Sequence, residues 1–180
     1  MRFAGIDHVS ITTGDLQRSL AFYRDLLGLS VLSVGEATGE DIGTITGFPG
    51  ARALYADLDL GEGQVLELLE YVEPAGVAIR QRTCDPGSGH LSFVVDGIDE
   101  YHATLAGAGA TVRSKPIDLH EGGHWDGTRV MYVVDPDGVT LEFLERTSTV
   151  AVAHGGGESR VEVRIDPGKP GAGVEAIDEG

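Results

Sequence analysis

One motif occurs twice in this chain, and the repeat leaves few architectures open. His8 sits in an alternating stretch, Ile6-Asp7-His8-Val9-Ser10-Ile11, and His90 sits in another, Gly89-His90-Leu91-Ser92-Phe93-Val94. The offset of 82 residues between the two histidines also pairs Ser10 with Ser92 and Leu16 with Ile98. Alternation with a period of two reads as a strand, and each strand is followed by apolar residues at helical spacing. The first helix is expected over 15–27, with Asp15 as its cap and Gly28 as its stop. Its counterpart is expected over 97–106, ending in Gly107-Ala108-Gly109. Each half closes on an apolar run holding one acid: Glu67 in Val65-Leu66-Glu67-Leu68-Leu69, and Glu142 in Thr140-Leu141-Glu142-Phe143-Leu144. A repeated strand–helix–strands unit means two equivalent modules sharing one sheet surface.

A lone acid between leucines is costly to bury without a partner. Two such acids and two such histidines, at matching points of a repeat, can satisfy each other through one divalent ion. A donor set of two nitrogens and two oxygens leaves positions open for water or substrate. Ligands carried on strands also hold their geometry better than ligands on loops. The remaining candidates read as structural or solvated: His102 on the exposed side of a helix, His120 in a loop, His154 in the tail, and Cys84 in a linker without a base partner.

The organisation expected is a first module over 3–72, a Pro-containing connection over 73–88, a second module over 89–146, and a Gly- and acid-rich tail over 147–180. Strands are expected near 5–12, 30–35, 52–60 and 64–71, then near 90–95, 111–114, 129–134 and 139–145. Residues 36–50 read as a loop or short helix, and 159–165 as one weak strand. Asp135-Pro136-Asp137-Gly138 is a hairpin turn signal. The 27 glycines suit a turn-rich sheet protein, and 180 residues give enough length to bury a core. A formal net charge of −16 argues against nucleic acid and anionic membrane as partners. A single cysteine allows no internal disulfide, no apolar run is long enough to span a bilayer, and the opening residues lack a signal-peptide core. A cytoplasmic location is the expectation.

The chain resembles the vicinal oxygen chelate superfamily, which includes glyoxalase I, methylmalonyl-CoA epimerase, fosfomycin-resistance proteins, extradiol dioxygenases and bleomycin-resistance proteins. The resemblance runs from about Phe3 to Arg146. It is carried by Asp7-His8-Val9, by Asp15-Leu16 through Phe22-Tyr23-Arg24-Asp25-Leu26-Leu27-Gly28-Leu29, and by Leu66-Glu67-Leu68. The second module adds His90-Leu91-Ser92-Phe93-Val94-Val95-Asp96 and Asp135-Pro136-Asp137-Gly138-Val139-Thr140-Leu141-Glu142. It implies an α+β fold of two βαβββ modules that form a curled mixed sheet around a central metal cleft. By position it implies His8, Glu67, His90 and Glu142 as ligands of a divalent ion (Ni, Co, Zn, Mn or Fe), and a homodimer, since such modules pair within or between chains.

What the resemblance implies about chemistry divides three ways. With all four ligand positions filled, the glyoxalase and epimerase branches imply a lyase, isomerase or epimerase. There a small substrate with adjacent oxygens passes through an enediolate, and Glu142 or Glu67 moves the proton. Glu67-Leu68-Leu69-Glu70-Tyr71 is similar to the epimerases, and the Arg-rich pattern of a glutathione site is absent. Gly122-Gly123-His124, Met131-Tyr132 and the residues after them resemble instead the Fe(II) extradiol dioxygenase signature, with His124 as acid–base and Tyr132 near substrate. Glu67 counts against it, because a fourth protein ligand takes a position that oxygen needs. A non-catalytic binding or resistance protein is the third class, and the filled ligand set counts against that. His124, Trp125 and Tyr132 are the expected pocket residues in addition to the ligands.

Overall fold

The computed structural model describes residues 2, 4–120 and 125–146. The first half runs β1 (His8–Thr12), α1 (Leu16–Leu20), a π-helical turn (Ala21–Leu26), β2 (Ser30–Ala37), α2 (Glu40–Thr46), β3 (Arg52–Gly61) and β4 (Gln64–Glu73). The second runs β5 (His90–Val94), α3 (Ile98–Gly107), β6 (Thr111–Val112), β7 (Ile117–Asp118), β8 (Thr128–Val134) and β9 (Thr140–Arg146). Two mixed sheets result, with strand orders β1-β4-β3-β2 and β5-β9-β8-β6, and with β7 paired to β8. In each, the first strand lies parallel to the last and the other pairings are antiparallel. The repeat expected from the sequence is thus one topology used twice. No helix among the described residues is long and apolar enough to cross a membrane.

Local chemistry explains the elements. The Asp15 side chain accepts from the Arg18 N–H at 3.0 Å, capping α1. Where the spacing predicts one continuous helix, the chain widens after Leu20, and the Leu27 N–H bonds to the Phe22 carbonyl five residues back at 2.9 Å. The wider turn lets the adjacent Phe22 and Tyr23 both face the interior, at 7% and 0% exposure. Gly28 then takes φ +81°, a left-handed conformation that ends the helix with no steric cost. The segment expected as loop or short helix contains α2. The strand expected near 111–114 is only two residues long, and β7, which carries no clear alternation, joins β8 separately.

The alternation in each strand sends one residue set to a shared interior. Ile11, Leu58, Leu66 and Leu68 from the first sheet join Met131, Val133, Leu141 and Phe143 from the second in a single buried cluster, with Leu16, Leu20, Ile98 and Leu105 from the helices. Each such side chain contributes about 1.5–3 kcal/mol by leaving water. The helices therefore line a core common to both halves.

A polar clasp ties the halves together at the hairpin turn between β8 and β9. The buried Tyr23 hydroxyl donates to Asp135 Oδ2 at 2.9 Å, and Asp135 Oδ1 accepts from the Val139 and Asp137 amides. Asp137 accepts from Thr13 Oγ1 at 2.6 Å, from the Gly14 N–H at 3.0 Å and from Arg18 Nη2 at 2.6 Å. Burial pushes the Asp135 carboxyl above the usual carboxylate range, against its hydrogen bonds. Burial opposes ionisation of Asp137 too, but the Thr13, Gly14 and Arg18 donors outweigh it and hold that carboxyl below its ordinary value.

A depressed carboxyl pKa contributes stability that is present above its unfolded value and lost as pH falls through the folded value. Asp135, shifted the other way, adds nothing to that acid-side loss. Asp137→Asn should lower the unfolding free energy at neutral pH by about 1.5–3 kcal/mol, the range for hydrogen bonds to a charged group. Urea unfolding should show the deficit shrinking below about pH 4, the ordinary range of aspartate. A deficit constant across that range would show that the charge of Asp137 is not its source.

Candidate functional site

Strand register positions the four residues singled out above. β1 and β4 run parallel with Ser10 beside Glu67 and His8 beside Val65. β5 and β9 run parallel with Ser92 beside Glu142 and His90 beside Thr140. The two registers are equivalent residue for residue. Because side chains alternate, Leu66 and Leu68 point into the core while Glu67 points to the opposite face of the sheet. Leu141 and Phe143 stand in the same relation to Glu142. Neither acid is buried among its apolar neighbours: the side chains of Glu67 and Glu142 are 25% and 13% exposed.

On that face each acid meets its histidine. His8 Nε2 lies 4.0 Å from Glu67 Oε2, and His90 Nε2 lies 3.7 Å from Glu142 Oε2. Both separations exceed a hydrogen bond. Both are shorter than two metal–ligand bonds end to end, about 4.2 Å, so one ion can touch both atoms of either pair. Imidazole nitrogen with carboxylate oxygen is a donor pair suited to a divalent transition ion, and each half fits one. The pairs do not meet within the chain: among the described residues no three His, Cys, Asp or Glu side chains converge as metal ligands would. The shared core explains this, since both sheets turn their apolar faces to it and their His–Glu faces away.

The two half-sites differ in what surrounds them. His8 Nδ1 hydrogen-bonds Asp7 Oδ1 at 2.8 Å, which fixes the ring and leaves Nε2 toward Glu67. That hydrogen bond, with weaker help from the charges of Glu67 and Asp57, raises the His8 pKa above its ordinary value despite some desolvation. Glycine stands before His90, and the ring is instead 5.6 Å from that of Tyr132. Tyr132 lies opposite Glu142 in the β8–β9 register, and burial, then the Glu142 carboxylate, pushes its phenol up. The corresponding position opposite Glu67 is Asp57, whose Oδ2 accepts from Ser33 Oγ at 2.6 Å.

Asp57 escaped the sequence reading, although the alternation Ala56-Asp57-Leu58-Asp59 carried the signal that Glu67 did. Of the expected pocket residues, Tyr132 lies beside the second half-site. Trp125 is 41% exposed and stacks on Arg146 near the end of β9, with 5.5 Å from guanidinium to ring. His124, on which the dioxygenase-like expectation turned, lies outside the described residues, as do the tail over 147–180 and the weak strand over 159–165.

Comparison with known proteins agrees with this fold. The family described as the Glyoxalase/Bleomycin resistance protein/Dioxygenase superfamily matches residues 5–143. The lactoylglutathione lyase of Haemophilus influenzae is 29% identical over 147 residues, covering 79% of this chain and 93% of that protein. A 2-epi-5-epi-valiolone epimerase from an Actinomyces species is 30% identical over 169 residues, covering 89% and 86%. The crystal structure of a glyoxalase family protein from Bacillus cereus superposes with a TM-score of 0.73 at 22% identity, covering 82% of this chain and 97% of that one, a likeness of fold.

The asymmetry around the histidines is measurable. In the chelator-treated protein, Asp7→Asn should move the His8 titration toward more acidic pH, because its largest upward influence is the Asp7 hydrogen bond. Imidazole proton NMR against pH reads it, and an unmoved His8 would show that Asp7 does not orient the ring.

Proposed function

This chain belongs to the Glyoxalase/Bleomycin resistance protein/Dioxygenase superfamily, and from that premise we propose that it is a divalent-metal-dependent enzyme moving a proton next to a carbonyl: a lyase, isomerase or epimerase acting on a small substrate with adjacent oxygens. The reading is supported most by one observation, the identical register that sets His8 with Glu67 and His90 with Glu142 on the open faces of two equivalent sheets. In this proposal four ligands assemble from two copies of the chain, His8 and Glu67 of one with His90 and Glu142 of the other. A C2 pairing makes two such sites per dimer.

When bound, the ion would offset negative charge on the substrate's chelating oxygens. The chain's own residues do the rest. Glu142 or Glu67 takes the proton from the carbon beside the carbonyl. For an isomerase or glyoxalase-type lyase step it returns the proton to the former carbonyl carbon, while the hydroxyl proton passes between the two oxygens; for an epimerase it returns the proton to the opposite face of the same carbon. Tyr132, against both His90 and Glu142, packs the second half-site and lies within reach of a substrate oxygen. With His8, Glu67, His90 and Glu142 all holding it, an ion would have room for a bidentate substrate but not for substrate plus oxygen. The relatives named as a lyase and as an epimerase are consistent with this class.

Three measurements test it. Glu142→Gln should reduce solvent deuterium wash-in at the substrate carbon by about 10²–10⁴-fold, the usual worth of a positioned base. His8→Ala and His90→Ala should each be inactive alone, yet mixing and re-equilibrating them should restore activity. Half of the dimers are then mixed, and each has one intact site of two, so recovery approaches about a quarter of wild type. Mixtures that stay inactive would show that the pairs are not shared between copies. Oxygen uptake with a catechol that survives Glu67→Ala would replace proton transfer with ring cleavage.

A further inference from the structure

We propose that Asp57 selects the substrate of this site, admitting a neutral polyhydroxylated ketone and rejecting compounds with a carboxylate or phosphate close to the chelating oxygens; the inference rests on the proton-transfer reading above. Asp57 faces Glu67 directly across β3 and β4, on the same side of the sheet. The equivalent register position of the second half holds Tyr132. An assembled site therefore has unlike walls, a carboxylate beside the His8–Glu67 pair and a phenol beside the His90–Glu142 pair. The repeat makes these positions equivalent, so their difference is a departure from the symmetry that the ligands keep.

Among the described residues Asp57 pairs with no lysine or arginine, and its electrostatic influence falls on His8, whose pKa it helps to raise. Ser33 Oγ donates to Oδ2 at 2.6 Å and sets the plane of the group. β1, β2 and β4 contain no Lys or Arg, and the one arginine of β3, Arg52, is at its far end, paired with Glu36 at 2.9 Å. Asp59, two residues further along β3, puts a second carboxylate on the same face, and its Oδ1 accepts from the Gly61 N–H at 2.8 Å. On the other sheet, Arg146 is four residues beyond Glu142, roughly 13 Å along a strand, and is stacked on Trp125.

A carboxylate only accepts hydrogen bonds, so it matches a ligand rich in hydroxyl donors. An anionic ligand brings no donor and meets like charge at short range. The two charges of a bound divalent ion would already be matched by Glu67 and Glu142, so Asp57 leaves the site net negative. Discrimination of this kind is strong, because a ligand lacking the donor leaves the carboxylate desolvated and unpaired. The ligands select adjacent oxygens, and Asp57 selects what surrounds them.

Deuterium wash-in by proton NMR on the metal-reconstituted full chain provides the test. The probes are dihydroxyacetone, erythrulose and a cyclic keto-polyol against dihydroxyacetone phosphate and the glutathione hemithioacetal of methylglyoxal. Wild type should favour the neutral probes by at least about tenfold in kcat/KM, the effect of one close like charge. Asp57→Asn should raise KM for the neutral probes while leaving kcat nearly unchanged, and should speed the anionic ones, so that the preference collapses. Asp57→Glu should restore part of it, and Ser33→Ala, which frees the carboxylate plane, should weaken it. If Asp57→Asn does not fold, Asp57→Glu and Ser33→Ala carry the same comparison. An unchanged ratio in the variants, or a wild-type preference for the anionic probes, overturns the selection by Asp57 and leaves proton transfer standing. No wash-in with any probe and any of the divalent ions overturns both.

Discussion

An ionised carboxylate between two leucines on a strand must face away from whatever those leucines bury, because the side-chain period of a strand is two and the cost of an unpaired buried charge is prohibitive. That constraint organises this protein. Leu66 and Leu68 commit Glu67 to the open face of the first sheet, and Leu141 and Phe143 commit Glu142 to the open face of the second. The parallel pairing of first with last strand then places one histidine beside each acid. A slip of one residue in either register would bury the acid and expose the leucines, so the core that stabilises the fold also fixes the half-site geometry.

The same economy explains how the halves meet. Each sheet has one apolar face, and neither half covers its own face fully with so little helix. The halves solve this by sharing a single cluster, with the polar clasp of Tyr23, Asp135 and Asp137 at its edge. The consequence is directional: two apolar faces turned to one another leave two His–Glu faces turned outward. In the reading proposed above, a second copy of the chain is then the natural source of the missing pair, and the fold and the proposed dependence on assembly have one origin.

In the proposed reading, divergence within the repeat marks what the site does beyond binding an ion. Histidine, glutamate and the serine beside each glutamate occur in both halves. The neighbours do not: Asp7 orients His8 where the second half has glycine, and Asp57 stands where the second half has Tyr132. Ligand geometry is the same demand on both halves, whereas a substrate is asymmetric and touches each wall differently.

Much of this was legible in one dimension. Alternation and helical spacing gave the strands, the helices and the matched positions of His8, Glu67, His90 and Glu142, because those depend on local periods and on an offset that can be counted along the chain. The hairpin at Asp135-Pro136-Asp137-Gly138 was legible for the same reason: its turn chemistry is local. The widened turn at Ala21–Leu26 was not, since it answers to the packing of Phe22 and Tyr23 against a distant half. Nor was the second role of Asp135 and Asp137 as the clasp, whose partners lie more than a hundred residues away in the chain. Asp57 was marked by the alternation of its strand, but its place opposite Glu67 emerged only when β3 was laid beside β4. The sequence by itself determined which residues share a face, since alternation is a property of the strand alone. Only the tertiary structure decided which faces meet, because that depends on how two apolar surfaces find the least exposure together, and so it kept His8 with Glu67 and His90 with Glu142 as two separate pairs.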